Sequence, residues 1–278
     1  MHTAFSQDPD RSWRLGVFGG IMNYQGDLQP SSFEFDRSHF KLSIWVRKNL
    51  TNKLSLRGGI GQGTLAAADK YNRDYLQPRN LSFKTKIQEA FVTLDFTLFD
   101  LTQYKISPFV YGDFILFHYN PFSYDEKGNK IYLQPLSTEG QGLADYPDRK
   151  VYKLTQPALG FGGGLKFAIN DNIRLSIDAS QKKTFTDYLD DVSTSYADQG
   201  KLLAAKGQTS VDMAYRGDEV VNPKPYPNEG EQRGTPTEMD WYYHFGLSVE
   251  INFSAIKNPF SGMSFPRGNS RRGCPRVF

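Results

Sequence analysis

The chain has no run of 18 apolar residues, which excludes a membrane-spanning helix but leaves open a β-barrel, since barrels cross a membrane on short alternating strands. It has a single cysteine, Cys274, too few for an internal disulfide framework or a multi-cysteine metal site. Its net charge is only +3, and no basic stripe with interleaved aromatics runs through its body, so nucleic acid is not expected as a partner. The four histidines, His2, His39, His118 and His244, lack the spacing of a metal site. The glycine-rich stretches at residues 58–63 and 160–164 have neither the spacing of a phosphate loop nor a helix to open. No nucleophile stands beside a base, and no catalytic, cofactor or metal residue is assigned.

What the chain does contain is alternation. In residues 240–253, Trp241, Tyr243, Phe245, Leu247, Val249, Ile251 and Phe253 place an apolar side chain at every second position. Because an extended strand sends successive side chains to opposite faces, this stretch has one continuous apolar face and one small or polar face. It is longer than an ordinary soluble strand and suits one that crosses a bilayer. Seven further alternating segments precede it, near residues 13–23, 40–47, 53–61, 89–98, 106–119, 159–167 and 173–180. The register of the 106–119 segment, apolar on both faces, is set by turning Asp113 inward and Val110, Phe114 and Leu116 outward. Only 38% of residues are hydrophobic and mean hydropathy is −0.54, whereas aromatics reach 14%, as interfacial girdles require.

The connections after the first, third, fifth and seventh segments are long and the others short, the asymmetry of outer-membrane barrels. The fold expected is therefore all-β, an eight-stranded antiparallel transmembrane β-barrel with long extracellular loops, both termini in the periplasm and outer-membrane lipids around it. Residues 7–253 form the barrel and residues 254–278 a periplasmic C-terminal tail, while residues 1–6 are either the remnant of an export signal or an unrelated start. Eight strands enclose a lumen that side chains can fill. The inward set is Arg14, Arg47, Arg57, Glu89, Asp95, Asp113, Lys166, Arg174, Asp178 and Glu250, whose mixed signs should pair across the lumen and close it to diffusion. The connection at residues 187–239, with ten acidic and five basic side chains, is expected to be exposed and acidic.

The tail has no acidic residue. Phe260, Phe265 and Phe278 offer apolar anchors, Arg267, Arg271, Arg272 and Arg276 offer charge, and prolines such as Pro275 disfavour regular structure. It reads either as a solvated end or as a peptide that docks on a periplasmic partner. Cys274, among arginines, is either a free thiol or one half of an intermolecular disulfide.

The segment Gly19-Gly20-Ile21-Met22-Asn23-Tyr24-Gln25-Gly26-Asp27-Leu28 resembles the start of the PorG family, small outer-membrane barrels of the type IX secretion system of Bacteroidota. In that family a glycine-rich strand runs into an aromatic-x-Gly-Asp-Leu segment, matched here by Tyr24, Gly26, Asp27 and Leu28. The Asp240-Trp241-Tyr242 entry to the last strand and the Cys274-Pro275 ending look similar too. The resemblance implies a non-enzymatic component joined to a periplasmic ring of a PorK-like lipoprotein and a PorN-like protein. The long seventh connection is not matched to a feature of that family. A free-standing barrel that binds a ligand or surface partner through its loops is the alternative.

Overall fold

A computed structural model of the chain describes residues 12–32 and 34–257. Strands β1 (Trp13–Gln25), β2 (His39–Asn49), β3 (Leu54–Ala68), β4 (Ser82–Thr97) and β5 (Ile106–His118) follow one another as antiparallel neighbours. The short strands β6 (Phe122–Tyr124) and β7 (Lys130–Tyr132) form a hairpin within the next connection. The wall resumes with β8 (Thr155–Ala168), β9 (Ile173–Thr184) and β10 (Trp241–Asn252), and β10 pairs with β1. The result is a closed eight-stranded antiparallel barrel, with β6 and β7 outside the ring.

The register fixes its shape. A path across the paired strands from Leu15 passes Val46, Gly58, Val92, Phe114, Leu159, Lys183 and Trp241 and returns to β1 at Gln25, ten residues further along. With eight strands this stagger tilts them by roughly 40° and sets a backbone radius of roughly 8 Å, a bore that side chains fill.

Alternation places the two sets of side chains as their chemistry requires. Val17, Ile44, Ile60, Val92, Phe114, Phe161, Leu175 and Leu247, one from each wall strand, point outward with no protein cover, and Ile60 and Leu247 remain 62% and 61% exposed. A complete apolar ring of this kind is stable only against lipid, since each such side chain left in water forgoes about 1.5–3 kcal/mol. At this tilt the outward apolar positions cover roughly 25 Å of height, the thickness that outer-membrane barrels present. Trp13 and the adjacent Phe99 and Tyr104 rings, 5.6 Å apart, edge the belt at the end of the short turns. Phe40, Trp241 and the Phe35–Phe245 pair, 6.2 Å apart, edge the other. No helix among the described residues is long and apolar enough to cross a membrane.

The long connections are folded. Residues 185–240 contain helices α1 (Gln199–Lys206) and α2 (Gln208–Ala214), with the Asp198 carboxylate accepting the Lys201 amide at 2.8 Å to cap the first. Much of the segment is buried, including Asp187, Leu189, Asp190, Asp191 and Val192, so the expectation of an exposed acidic connection is corrected for that part. Exposure concentrates in residues 218–232, where Val221 is 97% exposed. Phe253, expected to end the last strand, instead opens a short helix, α3 (Phe253–Lys257).

The main apolar core lies at the long-loop mouth. Met22, Tyr24, Leu65, Phe83, Ile115, Phe117, Leu189, Val192, Met213 and Tyr242 pack together there, joining the upper barrel wall to the folded loops. Tyr119, Tyr152 and Tyr188 stack in sequence, with ring centroids 6.3 and 4.7 Å apart. The barrel is thus capped at one end.

Candidate functional site

Below the cap, the lumen is built from the inward positions of the eight strands. At its upper level Glu89 on β4 accepts from Lys41 on β2, from Lys182 on β9 at 2.9 Å and from the Tyr242 hydroxyl on β10 at 2.7 Å. One carboxylate thereby ties together four strands. At the lower level Asp95 on β4 pairs with Lys166, with Arg47 at 3.2 Å and with Arg57 at 3.7 Å, while Arg47 also reaches Glu250 at 2.7 Å. Between them Asp178 accepts the Tyr111 hydroxyl at 2.7 Å and lies 3.2 Å from His244, and Asp113 accepts from Thr93 at 2.6 Å. The Trp45 indole fills the space over Gly16, where a Cβ would collide with the ring.

Of the inward set read from the sequence, Arg14, Arg47, Arg57, Glu89, Asp95, Asp113, Lys166, Asp178 and Glu250 are all buried in this interior. Arg14 donates to the Asp171 and Asn172 carbonyls of a short turn, and Arg174 is half-buried on β9 at the same end, with Glu250 as its register partner. Sequence reasoning left out Lys41, Lys182, Tyr242 and His244. Lys41 had a signal, since it alternates with Phe40 and Leu42. Lys182 had none, because β9 continues past the end of its apolar repeat to Thr184. The strand residues buried here carry six cations, Arg14, Lys41, Arg47, Arg57, Lys166 and Lys182, against five carboxylates, so charge is nearly balanced with no bound ion. The free space beside His244, Asp178 and Lys182 is about 30 Å³, room for a single water.

The cap has its own polar framework. The buried Glu139 carboxylate accepts the amides of Ser193 and Thr194 at 2.9 and 3.0 Å and the Arg233 guanidinium at 2.9 Å, joining the connection at residues 119–154 to that at 185–240. Asp191 accepts from Thr138 and Tyr152, both at 2.6 Å. Asp69 takes Arg79 in a two-pronged pair at 2.7 and 2.8 Å.

The two segments that carry the sequence resemblance meet at the β1–β10 seam, where Tyr24 faces Tyr242 and Gln25 faces Trp241. The Tyr24 hydroxyl lies 2.6 Å from Asp190 and 2.8 Å from Asp240. A phenol has one proton to donate, so with both acids in place one of the two carboxyls must itself be protonated and donate to the phenol oxygen. Burial, reinforced by the Asp27 carboxylate, pushes Asp190 up to about 8. Burial likewise pushes Asp187 up to about 9 and, with the neighbouring Asp190 and Asp187 charges, holds Asp240 well above the usual carboxylate range. Gly26 packs where a Cβ would overlap both the Tyr24 hydroxyl and the Asp240 carboxylate. Asp27 accepts the Thr235 amide at 3.0 Å, and Leu28 is buried in the core. Beside this seam opens a polar cleft of about 670 Å³ edged by Arg73, Tyr75, Glu238 and Trp241.

Among the described residues no group of three or more His, Cys, Asp or Glu side chains could hold a metal ion. The tail residues Phe260, Phe265, Arg267, Arg271, Arg272, Cys274, Pro275, Arg276 and Phe278 lie outside the described residues.

The sequence matches, over residues 4–207, the family described as "Domain of unknown function (DUF6089)". The chain belongs to the DUF6089 family. The match takes in β1 to β9 of the DUF6089 barrel and stops short of β10. No curated protein matches the sequence. Among solved structures, Neisserial surface protein A is similar at 9% identity, with 87% of this chain and 97% of that one covered and a TM-score of 0.44. A major outer-membrane protein of Thermus thermophilus aligns at 13% identity over 87% of this chain and 100% of its own, with a TM-score of 0.41. The outer-membrane protease OmpT of Escherichia coli aligns at 8% identity over 90% and 100%, with a TM-score of 0.36. None of these likenesses bears on what the DUF6089 barrel does. Its architecture is that of the outer-membrane barrels.

Proposed function

We propose that this barrel is a non-enzymatic outer-membrane component that anchors or positions the periplasmic ring of a type IX secretion system, with its folded loops outside the cell and both termini in the periplasm. The observation that carries the reading is the β1–β10 seam. Tyr24, Gly26, Asp27 and Leu28, which resemble the PorG family, and Asp240 to Tyr242, which resemble it independently, form one interlocked unit. A lumen filled by paired charges supports a fixed anchor over a channel.

On this reading the basic, phenylalanine-bearing tail docks on the PorK-like lipoprotein or the PorN-like ring protein, and Cys274 forms a disulfide with one of them. The test is affinity capture of the full chain, and of the chain ending at residue 257, from gently solubilised outer membranes. The full chain should recover both ring proteins and the shortened one should lose them. Equal recovery by the two forms would remove the tail from the interface, and recovery by neither would remove the ring. On non-reducing gels a higher-mass band should be present for the natural protein and absent for Cys274→Ser, and identical migration would rule the bond out.

The polar cleft beside the seam favours a second reading, a free-standing barrel that binds a ligand or surface partner at its loops. Full function after substitution of Arg73 and Trp241 would set it aside.

A further inference from the structure

The outer wall has a depression on its lipid-facing side. It measures about 630 Å³ and runs from Val17 on β1 across β2 to β5 to Thr155 on β8, with the small Ala90 flanked by Leu42, Ile44, Ile60 and Leu116. A single alanine at a position where the neighbouring strands present branched residues leaves a dent in the wall. Its upper rim turns polar with Gln62 and Gln88, and His118 lies 3.0 Å from Thr155 there. These residues mark the upper edge of the apolar belt.

Directly above, β4 continues upward with Lys86 and Lys84 on the same outward face. Each step of two residues raises the side chain by roughly 5 Å at this tilt, so the ammonium groups sit at headgroup height. Both lysines are exposed, and neither has an ion pair among the described residues. Their register partners are Thr64 for Lys86 and, for Lys84, Ala66 on β3 and Phe122 on β6, none of them a carboxylate. An apolar dent below, amide groups at the interface and two uncompensated cations above match an acylated lipid with a phosphorylated headgroup.

We propose that this wall depression seats an acyl chain of a phosphorylated saccharolipid of the lipid A class, whose phosphates pair with Lys84 and Lys86. The choice of this lipid rests on the orientation given above, in which the capped end faces the outer leaflet; the secretion role is not required. Basic side chains near a membrane surface each add enough affinity for anionic headgroups that two together are worth roughly ten- to thirtyfold.

The test uses the full chain refolded in neutral detergent and native mass spectrometry of its lipid adducts. Lipid A with both phosphates should be retained at least tenfold better than lipid A stripped of phosphate and than phosphatidylglycerol. Lys84→Gln with Lys86→Gln should weaken retention roughly ten- to thirtyfold. Ala90→Phe, which fills the dent, should weaken retention of both forms of lipid A. Unchanged binding by the double lysine variant overturns the proposal, as does equal retention of stripped lipid A. Phosphatidylglycerol held as well as lipid A also overturns it, and faults the orientation rather than the secretion role, since no ring protein is present. Should Ala90→Phe fail to fold, the lysine variant, altered only on the exposed face above the belt, decides the matter alone.

Discussion

Glu89 offers the sharpest test of a lumen filled by its own charges. Its two oxygens serve Lys41 and Lys182, which have no other carboxylate within ion-pair distance among the described residues, and the Tyr242 hydroxyl. Glu89→Ala would leave two ammonium groups facing each other in a site whose side chains are almost wholly buried. At roughly 4 Å and an effective dielectric of about 20, their repulsion is about 4 kcal/mol, in line with the 3–5 kcal/mol typical of breaking one partner out of a buried ion pair. The triple change Lys41→Met, Glu89→Leu, Lys182→Met removes all three charges at similar volume and should restore most of that loss, because desolvating paired ions offsets much of their attraction. Urea unfolding of the barrel in lipid vesicles, followed by tryptophan fluorescence, measures both. A loss below about 1 kcal/mol for Glu89→Ala would mean that water solvates the two lysines, and the filled lumen would be refuted.

In a planar bilayer the pure protein should show no steady large conductance, and a sustained open channel would contradict the approximately 30 Å³ of free space found beside His244. Proteinase K added to intact cells should cut first within residues 218–232 and spare residues 187–193, whereas first cleavage in the turn at residues 50–53 would show the capped end to be inside. Two acids of the cap, Asp190 and Asp187, favour low pH. Asp190 and Asp187 are raised to about 8 and 9 by burial, so their contribution is fully present below about pH 4, where the unfolded chain titrates, and is lost as pH rises through 8 to 9. The melting temperature of the cap should fall across that window, with Asp190→Asn flattening the slope. An unchanged slope in that variant would show that Asp190 does not carry the proton.

The barrel was legible in the sequence because its two environments differ so sharply. Lipid outside and charge inside impose a period of two on every strand, and even the doubtful β5 resolves once Asp113 is turned inward, as it is in the structure. The cap was not legible, for the same physical reason in reverse. Its interior is held by Glu139, Asp69, Arg79, Arg233 and a cluster of aspartates, residue types that mark solvent in most sequences, and their partners lie far apart in the chain. Helices α1 and α2 span only eight and seven residues, too short for a convincing amphipathic period. Polar composition therefore suggested an exposed loop where the fold has a second, hydrogen-bonded core.

That second core changes what the familiar-looking motif can mean. Tyr24, Gly26 and Asp240 are locked against one another, Leu28 is sealed in the apolar core, and Asp27 accepts the Thr235 amide. Their demand is geometric: a Cβ at position 26 would overlap the Tyr24 hydroxyl and the Asp240 carboxylate, and the Tyr24 hydroxyl joins two acids, while Gly26 and Asp27 also line the polar cleft. The motif is thus a requirement for building the cap. It sits at the opposite end of the barrel from Trp13 and Asn252, where the wall begins and ends and from which the tail departs. In the proposed orientation a ring would meet the short-turn end, so substitutions at the motif should weaken assembly only by loosening the cap, in step with its melting temperature, whereas changes in the tail should weaken it with the barrel intact.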